Sequence, residues 1–383
     1  MVLEDFSVGG AQIFAVRLAN SLSISDNVFI YNCHPTIFDG KLIKLISHRV
    51  KIVHYNSKSL LLAFWLLEKL FRPFKGVRSM FARSFETHNL KRLKNLALKN
   101  NLEIINSHMF YADLFAGRLK VDLPQLKHFI SMHGCYENKF SNSHHPIKSR
   151  GYSTLSNCDG VIIAADKNKF ILNELKLSGR VRVEKIYYGL PEGDKVLTLK
   201  KTKASFTFGI VSRAIKEKGW EELILAFLSL KMTYPDIQLI LVGAGPFQRK
   251  LQYHYKNDAA IKFMGHTSSP MDYIREMDVC VLPTYFKGES LPNSIIEYLS
   301  EGKPIIATEI GEIRQMLEAD GDLAGQLLQL TEKGLVINDL KDAMEKYIVD
   351  FNLVKIHAEL ARIAFRKFSM EECLRKYGNY FKL

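Results

Sequence analysis

The chain has 383 residues, more than twice the ~150 of a typical domain, so two domains are expected. At 47% hydrophobic, 24% charged and 11% aromatic it is neither collagenous, low-complexity nor mostly disordered. The net charge of +13 is one-sided: residues 1–200 carry 29 Lys and Arg against 16 Asp and Glu, whereas the remainder balances at 24 against 24.

An N-terminal half of that kind is expected to face nucleic acid, an anionic membrane or a phosphorylated substrate. The longest apolar run, residues 60–67, is far short of the ~20 residues that span a bilayer. The sequence opens Met-Val-Leu-Glu-Asp, without a basic stretch followed by an apolar one, which predicts a cytoplasmic protein. Cys33, Cys135, Cys158, Cys280 and Cys373 are scattered and form no C-x-x-C or zinc spacing. Neither a disulfide framework nor a structural metal is expected.

Along the chain, short apolar runs alternate with helical patterns. Strands are expected at residues 28–31, 50–53, 103–105, 129–132, 160–164 and 183–186. A second set follows at 206–211, 238–242, 261–263, 279–282 and 304–307. Residues 219–233 read as a helix, with Leu223, Ala226, Phe227 and Leu230 on one face. Strand, helix, strand at this spacing predicts βαβ units and parallel sheets, hence α/β architecture. The polar, lysine-rich segment 192–205 breaks the alternation and reads as a linker. The expected domains are residues 1–191 and 206–364, with a C-terminal helix at about 365–383 packing back on the first. Two such domains in tandem are expected to place a cleft between them, and the residues after each strand become candidates for function.

Two stretches stand out. The segment Gly209-Ile-Val-Ser-Arg213-Ala-Ile-Lys216-Glu-Lys218-Gly219 follows the first strand of the second domain and opens a helix. Arg213 and Lys218 can converge from the two sides of that loop and neutralise a diphosphate, or simply be a solvated basic loop. Further on, Pro283-Thr-Tyr-Phe-Lys-Gly-Glu289-Ser-Leu-Pro-Asn-Ser-Ile-Ile-Glu297 runs from a strand end into a helix starting near Pro292 or Asn293. The free N–H groups of residues 290–294 offer an anion site. Glu289 and Glu297 could grip sugar or ribose hydroxyls there, or be glutamates favoured by the helix dipole.

Together these stretches resemble the nucleotide-sugar-dependent, retaining glycosyltransferases of the GT-B fold, glycosyl transferase group 1 (family 4-like). Glu289-x7-Glu297 is similar to that family's E-x7-E motif, followed by Gly302-Lys-Pro304-Ile-Ile-Ala-Thr308. Arg213 and Lys218 resemble its basic pair, and Val242-Gly-Ala-Gly-Pro246 its glycine turn. In the first half, Ser7-Val-Gly9-Gly10-Ala11 resembles its glycine-rich loop, with Gln12 where Glu is usual. Ser131-Met-His133-Gly134 and Tyr188-Gly189 resemble further short motifs. The resemblance implies two Rossmann-like domains whose parallel sheets face a central cleft.

It also implies roles. Glu297 would hold the donor's ribose, and Glu289 the donor sugar near the reacting centre. Arg213 and Lys218 would stabilise the leaving diphosphate, bordered by Ser290, Leu291, Pro292, Asn293, Gly9 and Gly10. His133 would lie near donor sugar and acceptor. The catalytic candidates are therefore Glu289, His133, Arg213 and Lys218. No metal and no cofactor beyond the nucleotide-sugar substrate is implied, because fixed cations and helix N–H groups can favour charge on the departing phosphate.

Two departures are visible. Glu312 stands where a second glycine is common, which concerns the local loop. Only Met1-Val-Leu3 precedes the glycine loop, where a strand of ~5 residues is usual; this predicts a native chain that begins upstream.

Basic and apolar residues mix over residues 60–100, including Arg72, Lys75, Arg78 and Arg83. That composition suits an anionic membrane surface on the cytoplasmic side, or a packed helix followed by a solvated one. The expected function is transfer of a sugar to a glycan or lipid-linked glycan acceptor, with retention, in bacterial surface polysaccharide assembly. A nucleotide-sugar epimerase of similar fold and an inactive binding subunit are the alternatives. No nucleic-acid motif is present.

Overall fold

The computed structural model describes the chain except for residues 8, 35, 36, 38, 54–65, 67–74, 135, 137–139, 141–144, 192–204, 268, 333 and 383. For residues 75–84, 145 and 146 it describes the backbone alone. The segment read as a linker, all but Ser205, and Arg72 lie outside the described residues, as do the side chains of Lys75, Arg78 and Arg83. The chain divides into two compact units. Unit 1 is Met1–Gly189 with Cys373–Leu383, and unit 2 is Leu190–Glu372.

Among the described residues of unit 1, seven strands form one parallel sheet: β1 (Val2–Leu3), β2 (Phe29–Asn32), β3 (Lys51–Val53), β4 (Ile104–His108), β5 (Lys127–Met132), β6 (Gly160–Ile163) and β7 (Val183–Lys185). Their order is β3-β2-β1-β4-β5-β6-β7, so the sequence of strands reverses at the β1/β4 pair. Helices Gly10–Leu22, Phe110–Asp122 and His145–Asn157 are among the crossovers. A parallel sheet covered on both faces reads as continuous apolar runs, and β6 is buried at all four positions. The two-residue β1 is paired on both sides, with Tyr31 and Ser107 against Val2 and with Asn32 and His108 against Leu3. The carbonyls of Met1 and Glu4 extend its ladder to the N–H groups of Tyr31 and His34.

In unit 2 the strands are β8 (Phe206–Val211), β9 (Ile237–Val242), β10 (Ile261–Gly265), β11 (Val279–Leu282) and β12 (Ile305–Thr308). Two-residue β13 (Glu318–Ala319) and β14 (Asp322–Leu323) form a hairpin before β15 (Gly325–Leu328), which adds to the sheet edge. The parallel order is β10-β9-β8-β11-β12-β15, again reversing at the centre. The sequence did not foretell β15, because only Gly325 and Leu328 of its four residues are buried. Gly325 belongs there for close approach: a Cβ would lie 1.8 Å from the Ile305 carbonyl oxygen.

Helix Met370–Lys382 carries the chain from unit 2 back into unit 1. The Tyr377 hydroxyl lies 3.0 Å from Ser131 Oγ. Tyr380 donates to the Arg182 carbonyl at 2.6 Å, with the Arg182 guanidinium 4.1 Å above its ring. No helix among the described residues is long and apolar enough to cross a membrane.

Candidate active site

Ligands of open parallel sheets bind where the strand order reverses, because neighbouring loops there leave in opposite directions. In unit 2 that point lies between β8 and β11, and the loops leaving these two strands, with the helix that follows the second, carry all the candidate residues of this half. The β8 loop rests on the turn after β9. Ser212 N–H donates to the Val242 carbonyl and Ala214 N–H to the Ala244 carbonyl. A Cβ at Gly243 would lie 1.8 Å from the Ser212 oxygen, and one at Gly245 2.4 Å from the Ala214 oxygen. Glycine in this turn is therefore a packing requirement.

Beyond exposed Arg213, a 3-10 turn at Lys216–Lys218 ends on Gly219 with φ 75°, and helix Trp220–Lys231 begins. Its Leu223, Ala226, Phe227 and Leu230 are buried. Gly219 sits against the start of the β11 loop, where a Cβ would meet the Pro283 carbonyl oxygen at 2.2 Å. This contact fixes Lys218 beside the second loop.

There Lys218 Nζ donates to Glu289 Oε2 in an ion pair with both side chains more than nine-tenths buried. The Thr284 hydroxyl lies 3.1 Å from the same oxygen and 3.2 Å from the Glu217 carbonyl. Thr284 and Phe286 carry no obvious sequence signal, yet both shape the site. The Phe286 ring lies 5.8 Å from the Arg213 guanidinium and 5.6 Å from Lys218 Nζ, a shared cation–π contact. The turn closes through Glu289 N–H donating to the Phe286 carbonyl at 2.8 Å.

Helix Asn293–Ser300 follows, with Pro292 as its cap. Leu291 and Pro292 are buried, whereas Ser290 and Asn293 are half-buried. Glu297 is buried one turn in, and the neighbouring Tyr298 hydroxyl accepts from Val211 N–H at 2.6 Å, tying this helix to the end of β8. Glu312 is buried too, and its N–H donates to the Ser290 carbonyl at 3.0 Å. Beside it Gly311, at φ 61°, would put a Cβ 2.7 Å from that same carbonyl. The departure at Glu312 thus leaves a loop seated on the backbone of Glu289 and Ser290.

In unit 1, Gly9 and Gly10 follow β1 and start helix Gly10–Leu22. Buried Gln12 donates from its amide to Asp5 Oδ1 at 3.1 Å and to Ser7 Oγ at 3.2 Å. An ionised Glu has no proton for the Asp5 contact, which accounts for Gln in this chain. His133, after β5, sits in a hydrogen-bonded chain. Its Nε2 is 2.9 Å from His108 Nδ1, and its Nδ1 is 2.5 Å from the Tyr188 hydroxyl. Phe14 stacks on Tyr188 at 4.4 Å. Burial lowers His133 to about 3 and His108 well below the ordinary range, so both rings are neutral near pH 7.

A second buried network lies nearby. Asp113 accepts from Tyr136 and, at 2.7 Å, from the Ser107 hydroxyl, and burial lifts its carboxyl to about 7. The candidates thus form two groups, Arg213, Lys218, Glu289 to Asn293 and Glu297 in unit 2, and Gly9, Gly10 and His133 in unit 1. Among the described residues, no three His, Cys, Asp or Glu side chains gather as a metal site.

Residues 205–350 match the family described as Glycosyl transferases group 1. An uncharacterised glycosyltransferase of Methanocaldococcus jannaschii is 26% identical over 311 residues, 79% of this chain and 80% of the relative. A capsular polysaccharide biosynthesis glycosyltransferase of Staphylococcus aureus is 26% identical over 154 residues, 39% of this chain and 38% of the relative. Among solved structures, Anabaena HepE in complex with UDP superposes with a TM-score of 0.74 at 14% identity, covering 100% of this chain and 98% of that one. Two tandem Rossmann-like units with these structural neighbours give the chain the GT-B fold. Within it, residues 205–350 carry the similarity to the glycosyl transferases of group 1.

Proposed function

We propose that the chain transfers a sugar, with retention and without a metal, from a nucleotide-sugar to a glycan or lipid-linked glycan in surface polysaccharide assembly. The observation that carries this reading is the buried Lys218–Glu289 pair beside Arg213 at the point where the unit 2 sheet reverses. Departure of a nucleoside diphosphate puts growing negative charge on a phosphate oxygen. Arg213, Lys218 and the N–H groups opening helix Asn293–Ser300 favour that charge more in the transition state than in the ground state.

Glu289, held by Lys218, is assigned to the donor sugar, and Glu297 to the ribose. The UDP held by HepE and the capsular role of the staphylococcal relative support the donor and acceptor classes. The one-sided charge of the first 200 residues supports work at an anionic membrane surface on the cytoplasmic side.

The two glutamates can be separated by calorimetry. Glu297→Ala is expected to weaken UDP binding about tenfold or more, as loss of a charged hydrogen bond does, while Glu289→Gln binds UDP normally and transfers poorly. The opposite pattern would reverse the two roles. Transfer is expected to survive a chelator; loss restored by one divalent ion would refute the metal-free mechanism.

A further inference from the structure

Each imidazole nitrogen has one in-plane hydrogen-bonding position, and His133 has spent both, on His108 and on Tyr188. Its ring can reach a ligand only by breaking one of these bonds. The remaining capacity of the chain lies at its ends. At one end His108 Nε2 is buried and has no partner among the described residues. At the other Tyr188 is half-buried as a residue, after β7 at the carboxyl edge of the unit 1 sheet, its ring fixed by the Phe14 stack.

Protons can be laid along this chain in two directions. If Tyr188 donates inward to His133, then His133 donates to His108, and His108 must carry its proton on Nε2. That places an N–H in the core without an acceptor among the described residues, at the desolvation cost of an unsatisfied buried donor. If instead His108 donates from Nδ1 to His133 Nε2, His133 donates from its own Nδ1 to the Tyr188 oxygen. His108 Nε2 is then a bare lone pair, and the Tyr188 proton is left pointing out of the chain.

From this geometry we infer that Tyr188 is the group through which this end of unit 1 meets its ligand. Its hydroxyl donates to an oxygen of the bound sugar, and His133 and His108 are positioning residues behind it. Accepting from His133 also polarises the phenol and strengthens it as a donor. The assignment rests on the reading above in which the unit 1 loops border the donor sugar and the acceptor.

The full-length protein labelled with nitrogen-15 in histidine reports the proton positions directly by long-range correlation spectra near pH 7. His108 and His133 are both expected to be neutral with the proton on Nδ1. A His133 proton on Nε2 overturns the inference, since Tyr188 would then be donating inward. A His108 proton on Nε2 in the same spectra would overturn the role of His108, since its Nδ1 would then be accepting from His133.

Tyr188→Phe keeps the stack on Phe14 and is expected to lower turnover of UDP-glucose, or of whichever donor in a nucleotide-sugar panel the wild type uses, about tenfold, the size of a lost hydrogen bond. The KM for the donor should change little. Wild-type turnover in Tyr188→Phe overturns the ligand contact while leaving the glycosyltransferase reading intact. A wild type that turns over no donor removes that reading, and the ligand contact with it.

Discussion

Lys218 has two tasks that a single substitution exposes together. Arg213 is exposed, so Arg213→Ala should leave stability within about 0.5 kcal/mol and cost turnover roughly a hundredfold, as loss of an oxyanion donor does. Lys218→Ala also strands the Glu289 carboxylate in a buried site, a loss of about 3–5 kcal/mol of stability. Urea unfolding separates the two variants; equal midpoints would mean that the pair is solvated. The sequence predicts both cations from their place between a strand and a helix. It does not predict the pairing of Lys218 with Glu289, 71 residues on, because that contact is made by the closeness of β8 and β11.

Asp113 gives a pH signature at the same scale. Burial raises its carboxyl to about 7, against ~3.9 in an unfolded chain. The folded state therefore binds the extra proton, and the stabilisation is complete below about pH 4 and lost as pH rises through about 7. The wild-type urea midpoint is expected to fall between about pH 5 and pH 8 by more than that of Asp113→Asn, which cannot ionise. Parallel changes in the two proteins would show that Asp113 is ionised throughout.

At the scale of elements, the βα loops depend on glycines at crowded points. Gly219→Ala combines a left-handed backbone with a Cβ driven into the Pro283 carbonyl. Gly179, at φ 78°, has nothing within 4 Å of the corresponding position. Gly179→Ala should cost about 1–2 kcal/mol of conformational strain, and Gly219→Ala clearly more, with displacement of Lys218 and loss of transfer. Thermal unfolding of the two variants checks this; equal losses would mean that the β11 loop yields freely.

The strands that sequence patterns revealed well are those buried on both faces. β11 and β12 are apolar nearly throughout and buried at every position. The run at 103–105 is instead β4, Ile104–His108, whose polar Asn106, Ser107 and His108 end the apolar pattern although all three are buried. Their partners, Ser131, Asp113 and His133, come from elsewhere in the chain. The buried polar networks of unit 1 were hidden for the same reason. Alternation of apolar and polar residues reports solvent, and these polar residues face one another.

At the scale of the whole molecule, two parallel α/β units recur in a solved structure of 14% identity, so burial pattern and crossover geometry, more than particular side chains, specify this architecture. The excess of basic residues in the first 200 is a separate property, of solubility and encounter and not of fold. What the architecture supplies to chemistry is a sheet reversal in unit 2 carrying cations and carboxylates within reach of one another. The most direct test of that claim is release of nucleoside diphosphate from a panel of nucleotide-sugars by the full-length protein, beside its Arg213→Ala variant. The account predicts that at least one donor is turned over by the wild type and roughly a hundredfold more slowly by the folded variant. Equal release by the two proteins, or no donor turned over or protecting the wild type from unfolding, would contradict it.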